Sequence, residues 1–287
     1  MLPRANGIRM TRLPSPRLPS RRAAAARALA AVLALGALPG PARAAAPPSQ
    51  ARLVAGRDEG GRHVAGLEIR LAPQFITYWR DPGDAGVAPT ISFAGSTNLR
   101  SATLLYPAPR RLAEAGAVAF GYQDSVTFPI LVTPSDPARP VDLAVAFDYA
   151  TCHDLCLPAH ADLRVTLDGQ PSDAAGTVAA ALASVPRPSA VGAPGTPAIA
   201  AVLPGAEGGF AVAATGAGAG SELFVEAPEG WAYETGTPTA EGARTVFPVK
   251  RVAAPSAAGA SPSPLTLTLV TPAGAITVPA TPAAAGP

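Results

Sequence analysis

Short runs in which apolar and polar residues alternate recur between residues 52 and 168, and turns rich in proline, glycine and aspartate separate them. Such alternation is typical of β-strands with one buried face. The predicted strands are residues 63–71, 90–93, 102–106, 125–128, 141–147 and 161–167. Because the turns follow one another closely, the pattern favours an antiparallel sandwich over a βαβ arrangement.

A second set of strand-type runs lies nearer the carboxyl terminus, in a region without cysteine or histidine that we expect to support the fold or dock a partner. These predicted strands are residues 209–212, 222–225, 244–247, 265–270 and 275–278. Before them, an alanine-rich helix is predicted to extend through residues 177–185, with Ser172 or Asp173 as its cap and Pro186 as its end. Residues 186–197 are predicted to form a Pro/Ala-rich linker. The chain is thus predicted to be mainly β, with two antiparallel sandwich domains.

The first 44 residues have the composition of a secretory signal peptide. They contain eight arginines and no acidic residue, and an apolar run from Ala28 to Leu38 is followed by Pro39 and Gly40. This run is shorter than the roughly 20 residues that span a bilayer. The small residues on either side of Arg43 predict cleavage near Ala44 and, from the overall composition, a periplasmic location in a bacterium.

Removal of this segment changes the sign of the net charge. The full chain has 22 basic and 20 acidic residues, and loss of eight arginines leaves 14 basic residues, a net charge of about −6. The remaining chain has one lysine, Lys250, and no arginine-rich stripe, so a nucleic-acid partner is not expected. We also expect no transmembrane segment in the mature chain.

The chemistry of the chain is concentrated in the sequence TCHDLC, residues 151–156, which holds both cysteines. A structural disulfide here would close a loop of about five residues and contribute about 2 kcal/mol. Alternatively, a copper or zinc site could form from soft or borderline ligands, namely Cys152, His153, Cys156 and His160. The third interpretation is a redox pair, which requires an accessible sulfur and neighbouring groups that tune the thiolate.

The residues around the cysteines fit the redox interpretation. A protonated His153 would favour a thiolate, Asp154 would oppose it, and Pro158 could keep the segment after Cys156 extended. Such a pair carries two electrons itself, so no organic cofactor is expected. The sequence contains no Gly-x-Ser-x-Gly motif, so a nucleophilic hydrolase is poorly supported. A binding or scaffold module with a structural disulfide remains the alternative from another functional class.

Three blocks of sequence together resemble the N-terminal periplasmic domain of the DsbD/ScsB thiol:disulfide interchange proteins, and the cysteine spacing is closer to the ScsB type. The resemblance covers residues 52–168. The blocks are TYWRDPGD at residues 77–84, LYPAPR at 105–110 with GYQDSVTFP at 121–129, and CHDLCLP at 152–158.

This resemblance implies an immunoglobulin-like fold and a function in electron relay. It implies that Cys156 forms the intermolecular disulfide and Cys152 resolves it, that a cap loop falls near Leu112 to Phe120, and that Glu114 is a candidate proton donor. Tyr122 is expected in a supporting position. Tyr78 and Trp79 form an aromatic pair before a Pro-Gly turn, which predicts packing, with a docking surface as the alternative. The implied partners are a membrane-embedded thiol electron donor and periplasmic thioredoxin-fold proteins, which would make the chain a thiol-disulfide oxidoreductase if the pair cycles.

Six segments are predicted in all. They are a signal peptide at residues 1–44, an N-terminal tail at 45–51, the cysteine-bearing sandwich at 52–168, a helix and linker at 169–197, a second sandwich at 198–279 and a disordered tail at 280–287.

Overall fold

A computed structural model describes residues 47–84, 86–114, 116–255 and 264–282. The predicted signal peptide and most of the predicted tail at residues 280–287 lie outside these residues, while Ala280 belongs to a strand. Within the described part of the chain, no helix has both the length and the apolar character needed to cross a membrane.

The first sandwich consists of two antiparallel sheets. One sheet has the strand order β1-β2-β8-β5, and the other has the order β10-β9-β3-β7-β6, with the short strand β4 also paired to β9. The strands are β1 (Ser49–Ala55), β2 (His63–Leu71), β3 (Ile76–Gly83), β4 (Thr90–Ser92), β5 (Leu99–Leu104), β6 (Arg110–Glu114), β7 (Ala117–Gln123), β8 (Ser125–Pro134), β9 (Val141–Cys152) and β10 (Cys156–Leu167).

The second sandwich also consists of two sheets. Its sheets have the orders β11-β19-β18-β14 and β12-β13-β17-β15, and β16 also pairs with β17. The strands are β11 (Arg187–Pro188), β12 (Ala198–Pro204), β13 (Phe210–Thr215), β14 (Glu222–Glu226), β15 (Ala232–Thr235), β16 (Thr239–Glu241), β17 (Arg244–Ala253), β18 (Leu265–Thr271) and β19 (Gly274–Ala280). A short 3-10 turn, Ala206–Gly208, precedes β13.

Each sandwich has its own hydrophobic core, as the alternating sequence predicts. Strand β10 alternates between exposed and half-buried residues along most of its length, while β8 is buried almost throughout. Large side chains without exposure fill the first core, among them Trp79, Phe128 and Phe147. The prediction of a mainly β chain with two immunoglobulin-like sandwiches is therefore confirmed.

The segment between the sandwiches differs from its prediction in two details. The helix α1 (Ala175–Ala183) begins and ends two residues earlier than predicted, so it ends before Pro186, and it follows Ala174, which provides no side-chain cap. The Ser172 hydroxyl donates to the carbonyl of Ala55 and accepts from the backbone N–H of Ala174. The linker contributes β11, which pairs in parallel with β19. The second sandwich is thus not purely antiparallel, because the connecting chain adds a parallel strand to its edge.

Candidate functional site

The two cysteines end a long β-hairpin. Strands β9 and β10 pair in register along their whole length, and Cys152 lies opposite Cys156 in the last pair. Three residues, His153 to Leu155, connect the strands. The two sulfurs form a disulfide, with 4.1 Å between the Cα atoms. The pair therefore lies where the hairpin turns.

The two sulfur-bearing residues differ in exposure. Cys152 is buried, with 1% of its surface exposed, whereas Cys156 is exposed. The connecting loop is also exposed, and 70% of Leu155 is open to solvent. Since thiol exchange requires in-line access to a sulfur, an incoming group can reach Cys156 far more readily than Cys152.

Tyr78 and Glu114 complete a site that we call the disulfide site, defined as these two residues with Cys152 and Cys156. The Tyr78 hydroxyl donates to Glu114 Oε1 at 2.5 Å, and its oxygen lies 2.6 Å from Cys152 Sγ and 3.4 Å from Cys156 Sγ. Glu114 Oε1 also lies 3.1 Å from Cys156 Sγ. Neither bonded sulfur carries a proton, so the hydroxyl proton is directed to the carboxylate.

Burial controls the electrostatics of the disulfide site. Burial is the main cause that raises the pKa of Tyr78 well above its usual value, and the hydrogen bond and negative charge of Glu114 add to it. Glu114 is also buried, and its Oε2 has no hydrogen-bond partner among the described residues. The Tyr78 hydroxyl therefore keeps its proton and donates it in a hydrogen bond to Glu114 beside the sulfurs.

The pleat of β3 explains how this site forms. Ile76 and Tyr78 point away from the main core and belong to a small cluster on the outer face of the sheet, whereas Trp79 points into the core. The cluster contains Ile76, Tyr78, Ala119, Ala150 and Cys152, with Leu112 packed against it. A Cβ atom on Gly86 would lie 2.6 Å from Tyr78 Cδ1, so glycine allows the chain to lie against the tyrosine ring.

Comparison with known proteins identifies a matching family. Residues 42–168 match the family described as thiol:disulfide interchange protein DsbD, N-terminal. This segment belongs to the DsbD N-terminal family. The match includes both cysteines, Tyr78 and Glu114, so the whole disulfide site lies within the DsbD-type domain. Among curated proteins, none matches the sequence.

Solved structures also match the chain. The crystal structure of the N-terminal periplasmic domain of ScsB from Proteus mirabilis has a TM-score of 0.62 and 23% identity, and the match covers 87% of this chain and 98% of that chain. It shows a fold shared over most of the chain. The reduced DsbD N-terminal domain from Neisseria meningitidis has a TM-score of 0.25 and 14% identity, over 42% of this chain and 90% of that chain. That score is too low for a comparison of the folds.

In the DsbD-type domain, His153 and Asp154, which were predicted to influence the thiolate, lie in the loop between β9 and β10. His153 Nδ1 lies 3.0 Å from a carboxylate oxygen of Asp154, and the His153 ring lies against the ring of Phe75. Asp154 is almost fully exposed. The structure thus places both residues in the exposed loop, where they contact each other.

The structure does not assemble the predicted copper or zinc ligands. His160 is four residues after Cys156 on the extended strand β10, a separation of about 13 Å. Its two ring nitrogens lie 2.7 Å from Asp148 and 3.1 Å from Asp162. Among the described residues, the potential ligand atoms that lie within 4.8 Å of one another belong instead to Glu114, Cys152 and Cys156.

Of the two remaining predicted residues, Pro158 lies near the sulfurs and Tyr122 lies away from them. Pro158 is in the extended strand β10 and lines a cavity of about 350 Å³ that Cys156 also borders. Tyr122 is buried in the main core, where its hydroxyl donates to the carbonyl of Pro107 at 2.8 Å. Its contribution is to the packing of the sandwich rather than to the disulfide site.

Tyr78 is the site residue that the sequence alone did not reveal. We expected it in packing, and it is indeed buried, yet its hydroxyl contacts the carboxyl of Glu114 and the sulfur of Cys152. A signal was present in the sequence: Tyr78 and Trp79 are consecutive aromatic residues, which point to opposite faces of a strand, so both faces are expected to be covered. A covered outer face next to two cysteines points to a built site.

Proposed function

We propose that this chain is a periplasmic thiol:disulfide interchange protein that cycles Cys152 and Cys156 between dithiol and disulfide. The observation that carries the proposal is the disulfide site itself, in which one cysteine is exposed and the other is buried, the Tyr78 hydroxyl lies near both sulfurs, and the Glu114 carboxyl lies against Cys156 Sγ. A purely structural disulfide has no need of such neighbours. The match of residues 42–168 to the DsbD N-terminal family supports the same chemistry.

The exchange steps follow from the difference in exposure. In the reduced protein, the thiolate of Cys156 attacks a disulfide of the partner, which breaks that bond, forms a mixed disulfide and releases one partner thiolate. The thiolate of Cys152 then attacks Cys156 Sγ and expels the second partner thiolate. The Cys152–Cys156 disulfide is restored, and two electrons have passed to the partner, whose thiolates take up protons.

Tyr78 and Glu114 are suited to handle the proton of Cys152. The hydroxyl oxygen of Tyr78 already lies 2.6 Å from Cys152 Sγ, and the carboxylate of Glu114 accepts the hydroxyl proton. When Cys152 loses its proton, the hydroxyl can donate to the new thiolate, and Glu114 can accept the proton that leaves. We therefore propose that Tyr78 and Glu114 take part in proton transfer at Cys152.

The hairpin argues against a mainly structural role for the disulfide. Strands β9 and β10 are joined by twelve register pairs from Val141 with Leu167 to Cys152 with Cys156. A bond that closes about five residues contributes only about 2 kcal/mol by chain entropy. Since the strand pairing already brings the two cysteines together, loss of the bond should leave the fold intact.

The family match supports a proposal for the partners and the location. A DsbD-type domain interacts with thiol redox partners, and the similar ScsB structure is a periplasmic domain. We therefore propose that a membrane-embedded thiol donor reduces the disulfide and that periplasmic thioredoxin-fold proteins receive the electrons. Cleavage of a signal peptide near Ala44 and the predicted boundaries of the two sandwiches belong to this proposal.

The midpoint potential of the pair in the mature chain tests the function. We expect a value between about −180 and −300 mV in graded glutathione buffers, the range of exchange proteins. A Cys152→Ala variant should form a mixed disulfide with glutathione, and Cys156→Ala should react at least about tenfold more slowly because its remaining sulfur is buried. A pair that stays oxidised below about −300 mV would identify a structural disulfide and overturn the proposal.

A further inference from the structure

The second sandwich contacts the strands that carry the disulfide site. Phe224 of β14 has no exposed surface and belongs to the core cluster of the first sandwich. Its ring centroid lies 5.7 Å from that of Trp79 on β3 and 5.0 Å from that of Phe120 on β7. One aromatic ring from the second sandwich thus packs between two strands of the first.

Arg111 of β6 adds polar contacts to the same place. Its guanidinium donates to the carbonyl of Leu223 at 2.6 Å and lies 5.0 Å from the ring centroids of Phe120 and Phe224. Its backbone N–H also donates to Glu222 Oε1 at 3.4 Å. Strand β14 therefore holds the β6–β7 hairpin through a ring, a carbonyl and a carboxylate.

The pleat of β6 connects these contacts to the sulfurs. Leu112 and Glu114 lie on the face that packs against the disulfide site, and Arg111 lies on the opposite face toward β14. The hairpin is consequently held between the second sandwich and the disulfide. Loss of the contacts with β14 would free the hairpin, and a shift into the space left at β14 would carry Glu114 away from Cys156 Sγ.

We propose that Phe224 and Arg111 are positioning residues for thiol exchange, which hold the β6–β7 hairpin so that Glu114 stays against the sulfurs. The inference rests on the proposed function, because it concerns access to a pair that cycles. With the hairpin in place, a carboxylate lies 3.1 Å from Cys156 Sγ, where it obstructs and repels an incoming thiolate. The second sandwich thereby sets the fraction of molecules whose Cys156 is open to attack.

The test is the rate at which dithiothreitol reduces the disulfide in the folded mature chain. Phe224→Leu and Arg111→Gln should each raise the rate constant at least about fivefold, because each loosens the hold on the hairpin. The control for the first is Phe247→Leu, a buried phenylalanine in the core of the second sandwich. The control for the second is Arg251→Gln, whose guanidinium stacks on Trp231. Both controls should remain within about twofold of the wild type.

Because Arg111 is positively charged, the direction of the rate change in Arg111→Gln distinguishes an effect of charge from an effect of the hairpin. Loss of a positive charge alone would slow the approach of an anionic thiolate, so a faster reaction must come from the hairpin. If the effect passes through Glu114, Arg111→Gln should add less than about twofold in a Glu114→Gln background. Circular dichroism of each variant verifies that the rate is measured on folded protein.

Two outcomes overturn the inference. Rates unchanged in both Phe224→Leu and Arg111→Gln would show that the second sandwich does not position the hairpin. Equal acceleration in Phe247→Leu would show that general loosening of the fold is responsible. Failure of the proposed function is separate, since it would appear as a potential below about −300 mV, whatever the order of the rates.

Discussion

Replacement of Tyr78 by phenylalanine is the most direct perturbation of the disulfide site. The change removes one oxygen atom and keeps the ring that packs among Ile76, Ala119 and Ala150. In the wild type that oxygen donates to Glu114 Oε1, while Oε2 has no partner among the described residues. In the variant, neither oxygen of the buried carboxylate would have a hydrogen-bond donor there.

The size of the effect can be estimated from the bond that is lost. A hydrogen bond to a charged group contributes about 1.5 to 3 kcal/mol. We therefore expect Tyr78→Phe to lower the free energy of unfolding by about 2 kcal/mol and the melting temperature by about 4 to 8 °C for a chain of this size. In a Glu114→Gln background, the same change removes a bond between neutral groups and should cost only about 1 kcal/mol.

Tryptophan fluorescence can follow this loss in the first sandwich. Trp79 is fully buried in that core, and a Trp231→Phe background removes the other tryptophan of the chain. Urea unfolding without reductant would give the free energies of the four members of the Tyr78 and Glu114 cycle. A cost below about 0.5 kcal/mol, or an equal cost with glutamate and glutamine at position 114, would refute the charged hydrogen bond.

Three further results are expected. Gly121→Ala should destabilise the protein by at least about 2 kcal/mol in thermal unfolding, because its Cβ would lie 2.0 Å from a carbonyl oxygen of β3. Gly176→Ala should instead stabilise it by about 0.5 to 1 kcal/mol, since helix α1 leaves open space there. NMR should find the pKa of His160 raised, first by its hydrogen bond to Asp148 and then by that to Asp162. This contribution to stability is present below about pH 6.5 and is lost as the pH rises through the raised pKa, and Asp148→Asn should weaken it.

The strands of both sandwiches were largely predictable because one buried face leaves a period of two in the sequence. The predicted strand at residues 63–71 coincides with β2 (His63–Leu71). The runs at 141–147 and 161–167 extend in the structure to Cys152 and Cys156, because the hairpin pairing continues through residues that lack clear alternation. The cysteines could thus be identified from the sequence, but their place at a hairpin turn could not.

The neighbours of the cysteines were harder to predict, because they come from distant parts of the chain. Glu114 was indicated only by the resemblance to the DsbD/ScsB proteins, and Tyr78 lies 74 residues from Cys152. The histidines close in sequence suggested a metal site, yet an extended strand carries His160 about 13 Å from Cys156. Proximity along a strand is therefore a poor guide to ligand geometry.

The contact between the sandwiches is marked by a feature of β14 that resembles the one at Tyr78 in β3. In β14, Leu223 and Val225 point into the core of the second sandwich, while Phe224 between them points into the core of the first. All three are buried, so the run has no alternation, unlike β10. In a sandwich whose outer faces usually meet water, a run of consecutive buried residues in a strand means that another element covers its outer face. Strands β3 and β14 both have this property, and the β6–β7 hairpin that carries Glu114 lies between the disulfide and β14.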